Sequence, residues 1–325
     1  MNNKPRFKFA ILMLSLVLVA CSGGSAEAGC PEIDNREINV VATTPMIGEF
    51  VSQVGGDNIN LTVLMSPEAD PHTYDPAPQD AGKIADADLV FYTGLKYEPA
   101  ALIKLLENSA CSAEVLAEVG ENVFPIEFKE GGHDDHDEEG HDDHAGHDHG
   151  AYDPHFWFDP NRVAYAAEYI ESKLVEFDPS NASDYEAAGK AYVTELKGLV
   201  SQVSELISTI PSQNRKLITT HESLGYLEAK FGLEVLSTII PSVDSANEIS
   251  PSQLVGVIDV IEDNNVKAIF IEAEAPSVYA ETIVAETGIK AVEGLWVETL
   301  KEGQSYPEFL FEAVELIVEN LKNTD

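Results

Sequence analysis

DYEAAGKAYVTELKGLVSQVSELISTI, residues 184–210, carries apolar side chains at Tyr185, Ala188, Tyr192, Leu196, Leu199, Val203, Leu206 and Ile210. Steps of three and four place these on one face of a single α-helix. At about 1.5 Å per residue that helix runs roughly 40 Å, longer than a crossover between neighbouring strands requires and long enough to reach along two stacked lobes. Ser183 with Glu186 reads as a capping box at its start, and Pro211 stops it.

Working outward, short apolar runs alternate with longer helical patterns. Val40–Ala42, Leu61–Met65 and Leu89–Thr93 precede the long helix, while Leu217–Thr220, Val235–Thr238, Ala268–Ile271 and a short run near Ala291 follow it. Strands separated by helices of this length argue for parallel sheets built from βαβ units. Asp159-Pro160 and Ser250-Pro251-Ser252-Gln253 mark two further helix starts. The predicted class is α/β, with two βα lobes of parallel sheet joined by one long rigid helix. We expect an N-terminal lobe over residues 39–180, a linker helix over 181–211 and a C-terminal lobe over 212–325.

Lys4, Arg6 and Lys8 precede an apolar stretch, Phe9 to Ala20, that is too short to span a bilayer. Residues 1–20 therefore read as an export signal. It ends in Leu18-Val19-Ala20-Cys21, which resembles the lipobox of bacterial lipoproteins, so Cys21 is the expected acylated first residue of the mature chain. A signal cut without lipidation is the plainer alternative. Residues 21–38 form a small-residue tether, and the expected location is extracytoplasmic, lipid-anchored to the cell membrane, in the periplasm or at the cell surface.

The whole chain holds 57 Asp plus Glu against 19 Lys plus Arg, a formal charge of −38. Such a surface repels nucleic acid and anionic lipid, and it is read mainly as a soluble face on a monomer. Apart from Cys21, the cysteines form an even pair in an oxidising compartment, so we expect Cys30 to bond Cys111.

The tripeptide Asp-Pro-His occurs twice, at Asp70-Pro71-His72 and Asp153-Pro154-His155. Just before the second copy, residues 131–150 combine eight acids with His133, His136, His141, His144, His147 and His149, and almost nothing apolar. That run cannot bury itself and reads as an accessory metal loop or as a solvated charge run. It leaves only His72, His155 and His221 for the folded body. His72 and His221 each follow a predicted strand, at the carboxyl edge where open α/β sheets bind ligands.

These residues carry a resemblance. Asp70-Pro71-His72-Thr73-Tyr74-Asp75, Asp153-Pro154-His155-Phe156-Trp157-Phe158-Asp159-Pro160 and His221-Glu222-Ser223-Leu224-Gly225-Tyr226-Leu227 are similar, in order, to the metal-ligand motifs of the zinc- and manganese-binding lipoproteins that serve ABC transporters. The resemblance implies two lobes on a rigid helix and His72, His155 and His221 as three ligands. The fourth ligand of that family is commonly aspartate in an Asp-Ser-Leu-like turn. Here the turn reads Trp296-Val297-Glu298-Thr299-Leu300, so Glu298 takes the place, with Glu222, Glu272 and Glu274 as alternatives. Phe156 and Trp157 are expected to pack beside the site, and Asp75 and Asp153 to orient histidines.

Three imidazoles and one carboxylate suit tetrahedral Zn2+, whereas Mn2+ prefers more oxygen and higher coordination. The expected function is capture of zinc between the lobes and delivery to a membrane permease with its ATPase, without catalysis. Manganese or iron is the alternative cargo. A zinc hydrolase using Glu298 or Glu222 as base and a metal-stabilised adhesin are rival readings, the first weakened by the absence of a compact motif such as His-Glu-x-x-His.

Overall fold

The computed structural model describes Cys30, Ile33 and residues 36–67, 69–128, 152–244, 249–274 and 277–322. The expected signal peptide, Cys21, most of the tether and the histidine-rich run with its six histidines lie outside these residues.

Branched and aromatic runs form the strands, as their preference for a pleated surface dictates. The first sheet contains β1 (Ile38–Ala42), β2 (Ile59–Val63), β3 (Leu89–Tyr92) and β4 (Leu116–Glu118), all parallel, in the spatial order β2-β1-β3-β4. The second contains β5 (Lys216–Thr219), β6 (Glu234–Thr238), β7 (Ala268–Glu272) and β8 (Lys290–Leu295), parallel in the matching order β6-β5-β7-β8. The two lobes thus repeat one topology. Their order reverses beside β1 and again beside β5, the switch points where such sheets leave a crevice at the carboxyl ends of their strands.

Helices α1 (Pro45–Gly55), α2 (Pro78–Ala85) and α3 (Ala100–Ser109) belong to the first lobe, followed by α4 (Pro160–Phe177) and the 27-residue α5 (Ala182–Ser208). In the second lobe come α6 (Gly225–Phe231), α7 (Pro251–Asn264), α8 (Ala280–Thr287) and α9 (Tyr306–Leu321). Two expected starts appear as read. The Asp159 side chain accepts from the Asn161 amide at the head of α4, and Ser250 and Gln253 cap α7 reciprocally.

Three details differ from the sequence reading. Strand β4 fell in what read as a gap between strands, because three residues are too few to show alternation. Strands β1 and β2 each start two residues before the expected Val40 and Leu61, and β2 ends at Val63 and not Met65. Finally, Ser183 lies inside α5 and not at its cap. A 3-10 turn over Pro179–Asn181 feeds the helix, and Asp178 ties the turn to α5 by accepting from Ser180 Oγ, Asn181 Nδ2 and the Tyr185 hydroxyl.

The buried stripe of α5 runs through Tyr185, Gly189, Tyr192, Val193, Leu196, Leu199, Val203 and Ile207. A Cβ at Gly189 would lie 2.1 Å from Glu171 Oε2 on α4, so a larger residue there would displace that carboxylate. The α5 stripe joins α1, α4, α9 and the facing surfaces of both sheets in one continuous core, with separate smaller clusters on the outer face of each sheet. Helix α9 also reaches the first lobe, where Tyr306 stacks edge-on against Phe50 at 5.4 Å and donates to the Trp157 carbonyl. Cys30 and Cys111 form a disulfide, Cα atoms 5.0 Å apart. Among the described residues no helix is long and apolar enough to cross a membrane.

Candidate metal centre

Four side chains from four separate turns converge where the carboxyl ends of the two sheets face each other. His72 sits on a 3-10 turn beyond β2, held by its own amide donating to Asp70 Oδ1 at 2.9 Å. His155 precedes the 3-10 turn Phe156–Phe158, His221 follows β5, and Glu298 follows β8. Their side chains are 0–3% exposed. One potential ligand atom from each lies within 4.8 Å of all the others.

Glu298 Oε1 is 2.7 Å from His221 Nε2, 3.3 Å from His155 Nε2 and 3.4 Å from His72 Nε2. Among the described residues, none of these pairs forms a hydrogen bond, and all four atoms are buried without a hydrogen-bond partner. One such orphan costs about 1–3 kcal/mol, so four aimed at one point suit a common occupant. Tetrahedral zinc at about 2.0–2.1 Å from its ligands separates them by roughly 3.3 Å, close to the spacing found here. The donor set therefore fits a divalent cation.

Two of the imidazoles are held from behind by carboxylates. Asp153 Oδ1 lies 2.8 Å from both the His155 amide nitrogen and its Nδ1. Glu272 Oε2 lies 2.5 Å from His221 Nδ1, while its Oε1 accepts from the His221 amide and the Ser223 hydroxyl. These contacts fix each ring with Nε2 forward. Gly225 makes room for Asp153, since a Cβ there would lie 2.6 Å from Asp153 Oδ2.

Glu298 is held as firmly. One oxygen of Glu274 accepts from the successive amides of Val297, Glu298 and Thr299 at 3.0–3.3 Å, and Trp157 Nε1 donates to the Val297 carbonyl at 2.8 Å. Of the alternatives to Glu298, Glu272 and Glu274 are thus supports, and Glu222 accepts from the Thr238 hydroxyl. Phe156 and Trp157 are fully buried. Asp70, not Asp75, braces the turn of His72.

Electrostatics follow from this packing. Burial works against charge on His155, but Glu298 and Asp153 outweigh it and push its pKa up to about 9. His221 is raised well above its usual value against the same burial, by Glu272 and Glu298. Glu298 stays ionised far below the ordinary carboxylate range despite burial, because three imidazoles surround it. Burial first, and then the Glu298 charge, raise Glu274 to about 8. A cavity of about 860 Å³ opens onto His72 and is bordered by Tyr97, Lys96, Glu107, Tyr152 and Asp244.

Sequence reasoning missed Tyr97. Its hydroxyl lies 2.9 Å from both the carbonyl and Oε2 of Glu298, 201 residues away. The available signal was position alone: Tyr97 follows β3 at the same sheet edge that drew attention to His72.

Residues 40–320 match the family model described as ZnuA, zinc-uptake complex component A, periplasmic. The manganese ABC transporter substrate-binding lipoprotein scaA of Streptococcus gordonii is 28% identical over 327 residues, 98% of this chain and 99% of that protein. The zinc-binding lipoprotein AdcA of Streptococcus pneumoniae is 29% identical over 309 residues, 92% of this chain and 58% of that protein. The periplasmic zinc binding protein TroA of Treponema pallidum shares the fold, with a TM-score of 0.75 at 22% identity over 88% of this chain and 100% of that one. With the family model matched over residues 40–320, the chain belongs to the zinc-uptake complex component A family.

Proposed function

We propose that this protein is the extracytoplasmic metal-capturing component of an ABC transporter, binding zinc on His72, His155, His221 and Glu298 and handing it to a membrane permease driven by an ATPase. Cys21 would carry the lipid that holds it at the membrane. The observation that carries this reading is the set of four buried, unpartnered ligand atoms from both lobes gathered within 4.8 Å. Three nitrogens and one oxygen favour zinc over manganese on ligand chemistry. The manganese reading keeps support from the name of the Streptococcus gordonii relative.

A carrier fits better than a hydrolase. Both bases available to a hydrolase are committed elsewhere, Glu298 Oε1 to the cluster itself and Glu222 to Thr238.

The test is a chelator-competition titration of the mature protein lacking residues 131–150, which removes the accessory histidines. We expect zinc binding tighter than about 1 μM, equivalent to more than about 8 kcal/mol, and its loss in His221→Ala. Binding no tighter than micromolar in the parent protein overturns the proposal.

A further inference from the structure

Tyr97 reaches the centre by an unusual backbone path. Gly94, Leu95 and Lys96, which join β3 to it, all have positive φ, at 75°, 54° and 64°. Non-glycine residues in this region cost about 1–2 kcal/mol each, so the surroundings must hold them there. They do so through two carboxylates, with the Gly94 amide donating to Glu98 Oε2 at 2.9 Å and the Leu95 amide to Glu118 Oε1 at 3.0 Å. Glycine suits position 94, where φ is positive and a Cβ would fall 2.0 Å from Glu118 Oε1 and displace the carboxylate that holds Leu95.

The turn delivers a buried phenol. The Tyr97 ring stacks edge-on against His72 at 4.9 Å and Trp157 at 5.3 Å. Its hydroxyl proton is shared between the carbonyl and Oε2 of Glu298. The charged oxygen takes the stronger share. Glu298 therefore faces the three imidazoles with Oε1 alone. Turning the carboxylate so that both oxygens face the same point would break the bond to Tyr97. The backbone cannot shift to compensate, because Glu274 and Trp157 pin residues 297–299.

We infer that Tyr97 is a specificity-determining positioning residue, which holds Glu298 as a one-oxygen ligand and so limits the site to the four donors that suit zinc and disfavour manganese. This rests on the metal-capture reading above. A glutamate has the reach to chelate through both oxygens, and manganese gains from the extra oxygen while tetrahedral zinc does not. The phenol disfavours that option.

The test uses Tyr97→Phe, which keeps the ring and removes the hydroxyl, in the mature protein lacking residues 131–150. Zinc and manganese affinities are measured by chelator competition, and cobalt is the spectroscopic probe of coordination number. In the parent protein, cobalt should give the intense visible absorption of a four-coordinate ion. In Tyr97→Phe we expect zinc affinity to change less than about 5-fold, the zinc-to-manganese ratio to narrow by about 10-fold or more, and the cobalt absorption to weaken. A weak five- or six-coordinate cobalt spectrum in the parent protein overturns the inference without any variant. So does a Tyr97→Phe protein with an unchanged metal ratio and cobalt spectrum, or one that loses both metals equally. Failure of the metal-capture reading is distinguishable, since the parent protein then binds no metal tightly.

Discussion

Replacing Glu272 by glutamine tests whether the centre depends on its supporting carboxylates as much as on its ligands. Glu272 is 1% exposed at the end of β7, and its two oxygens face three donors: His221 Nδ1, the His221 amide and Ser223 Oγ. Glutamine preserves the shape but brings an NH2 group to one side of this arrangement. If its carbonyl oxygen accepts from the ring, the NH2 confronts the His221 amide, donor against donor. The reverse orientation sets it against Nδ1 and forces the other tautomer, which puts a proton on the Nε2 that should ligate. Either way the negative charge that makes His221 a better donor is gone. Removing such a support typically weakens metal binding 10–100-fold, about 1.4–2.7 kcal/mol. We expect that loss of zinc affinity in chelator competition at neutral pH, with the circular dichroism of the fold retained. A change below about 3-fold would refute the role given to Glu272. A loss as complete as that of His221→Ala, in a folded protein, would instead make Glu272 a ligand.

Other perturbations have definite signs. Zinc at about 1,000 times its dissociation constant adds about 4 kcal/mol to the folded state, which should raise the thermal midpoint by roughly 8 °C at about 2 °C per kcal/mol. A midpoint unmoved by zinc contradicts the site. Leu196→Ala removes a fully buried side chain from the middle of α5 and should cost about 2–5 kcal/mol in denaturant melts, with a loss under 1 kcal/mol arguing against a shared core. Burial opposes ionisation of Asp178, but hydrogen bonds from Ser180, Asn181 and Tyr185 hold its pKa below the usual carboxylate value. The unfolded chain therefore takes up the proton first. The stability advantage of the wild type over Asp178→Asn is full above about pH 4 and is lost as the pH drops through the folded value. An advantage that grew towards acid would have the wrong sign.

What could be read beforehand was whatever periodicity or a short motif records. The α5 stripe, the helix starts at Asp159 and Ser250, and the histidines at strand ends all belong to that class. Glu298 came from resemblance to a turn, and the structure puts its Oε1 among the three imidazoles. The division of labour among Glu222, Glu272 and Glu274 was not legible, because all three lie close to a strand end of the second lobe. Which becomes a brace depends on pleat and register, and the β7–β8 pairing shifts register between Ile271 and Glu272. Tyr97 was hidden for a different reason. Its turn puts Leu95 and Lys96 in a conformation that sequence associates with glycine and asparagine, so nothing local announced it.

The shared core constrains how cargo can enter and leave. Hydrogen bonds cross between the lobes at the centre itself, from Trp157 Nε1 to the Val297 carbonyl, from Tyr97 to Glu298, from Tyr226 to the Asp153 carbonyl and from Tyr306 to the Trp157 carbonyl. Behind them α5 and α9 bury apolar surface from both lobes in one cluster. Opening the cleft widely would break all of these together. The four side chains of the centre are not equally bound into this frame. His155 and His221 have ring nitrogens tied to buried carboxylates, and Glu298 has its turn pinned by Glu274. His72 stands on a three-residue turn whose brace, Asp70, acts on its backbone amide, and it borders the open cavity. Displacing the His72 turn would leave the inter-lobe hydrogen bonds intact, so local opening there asks less of this frame than parting the lobes.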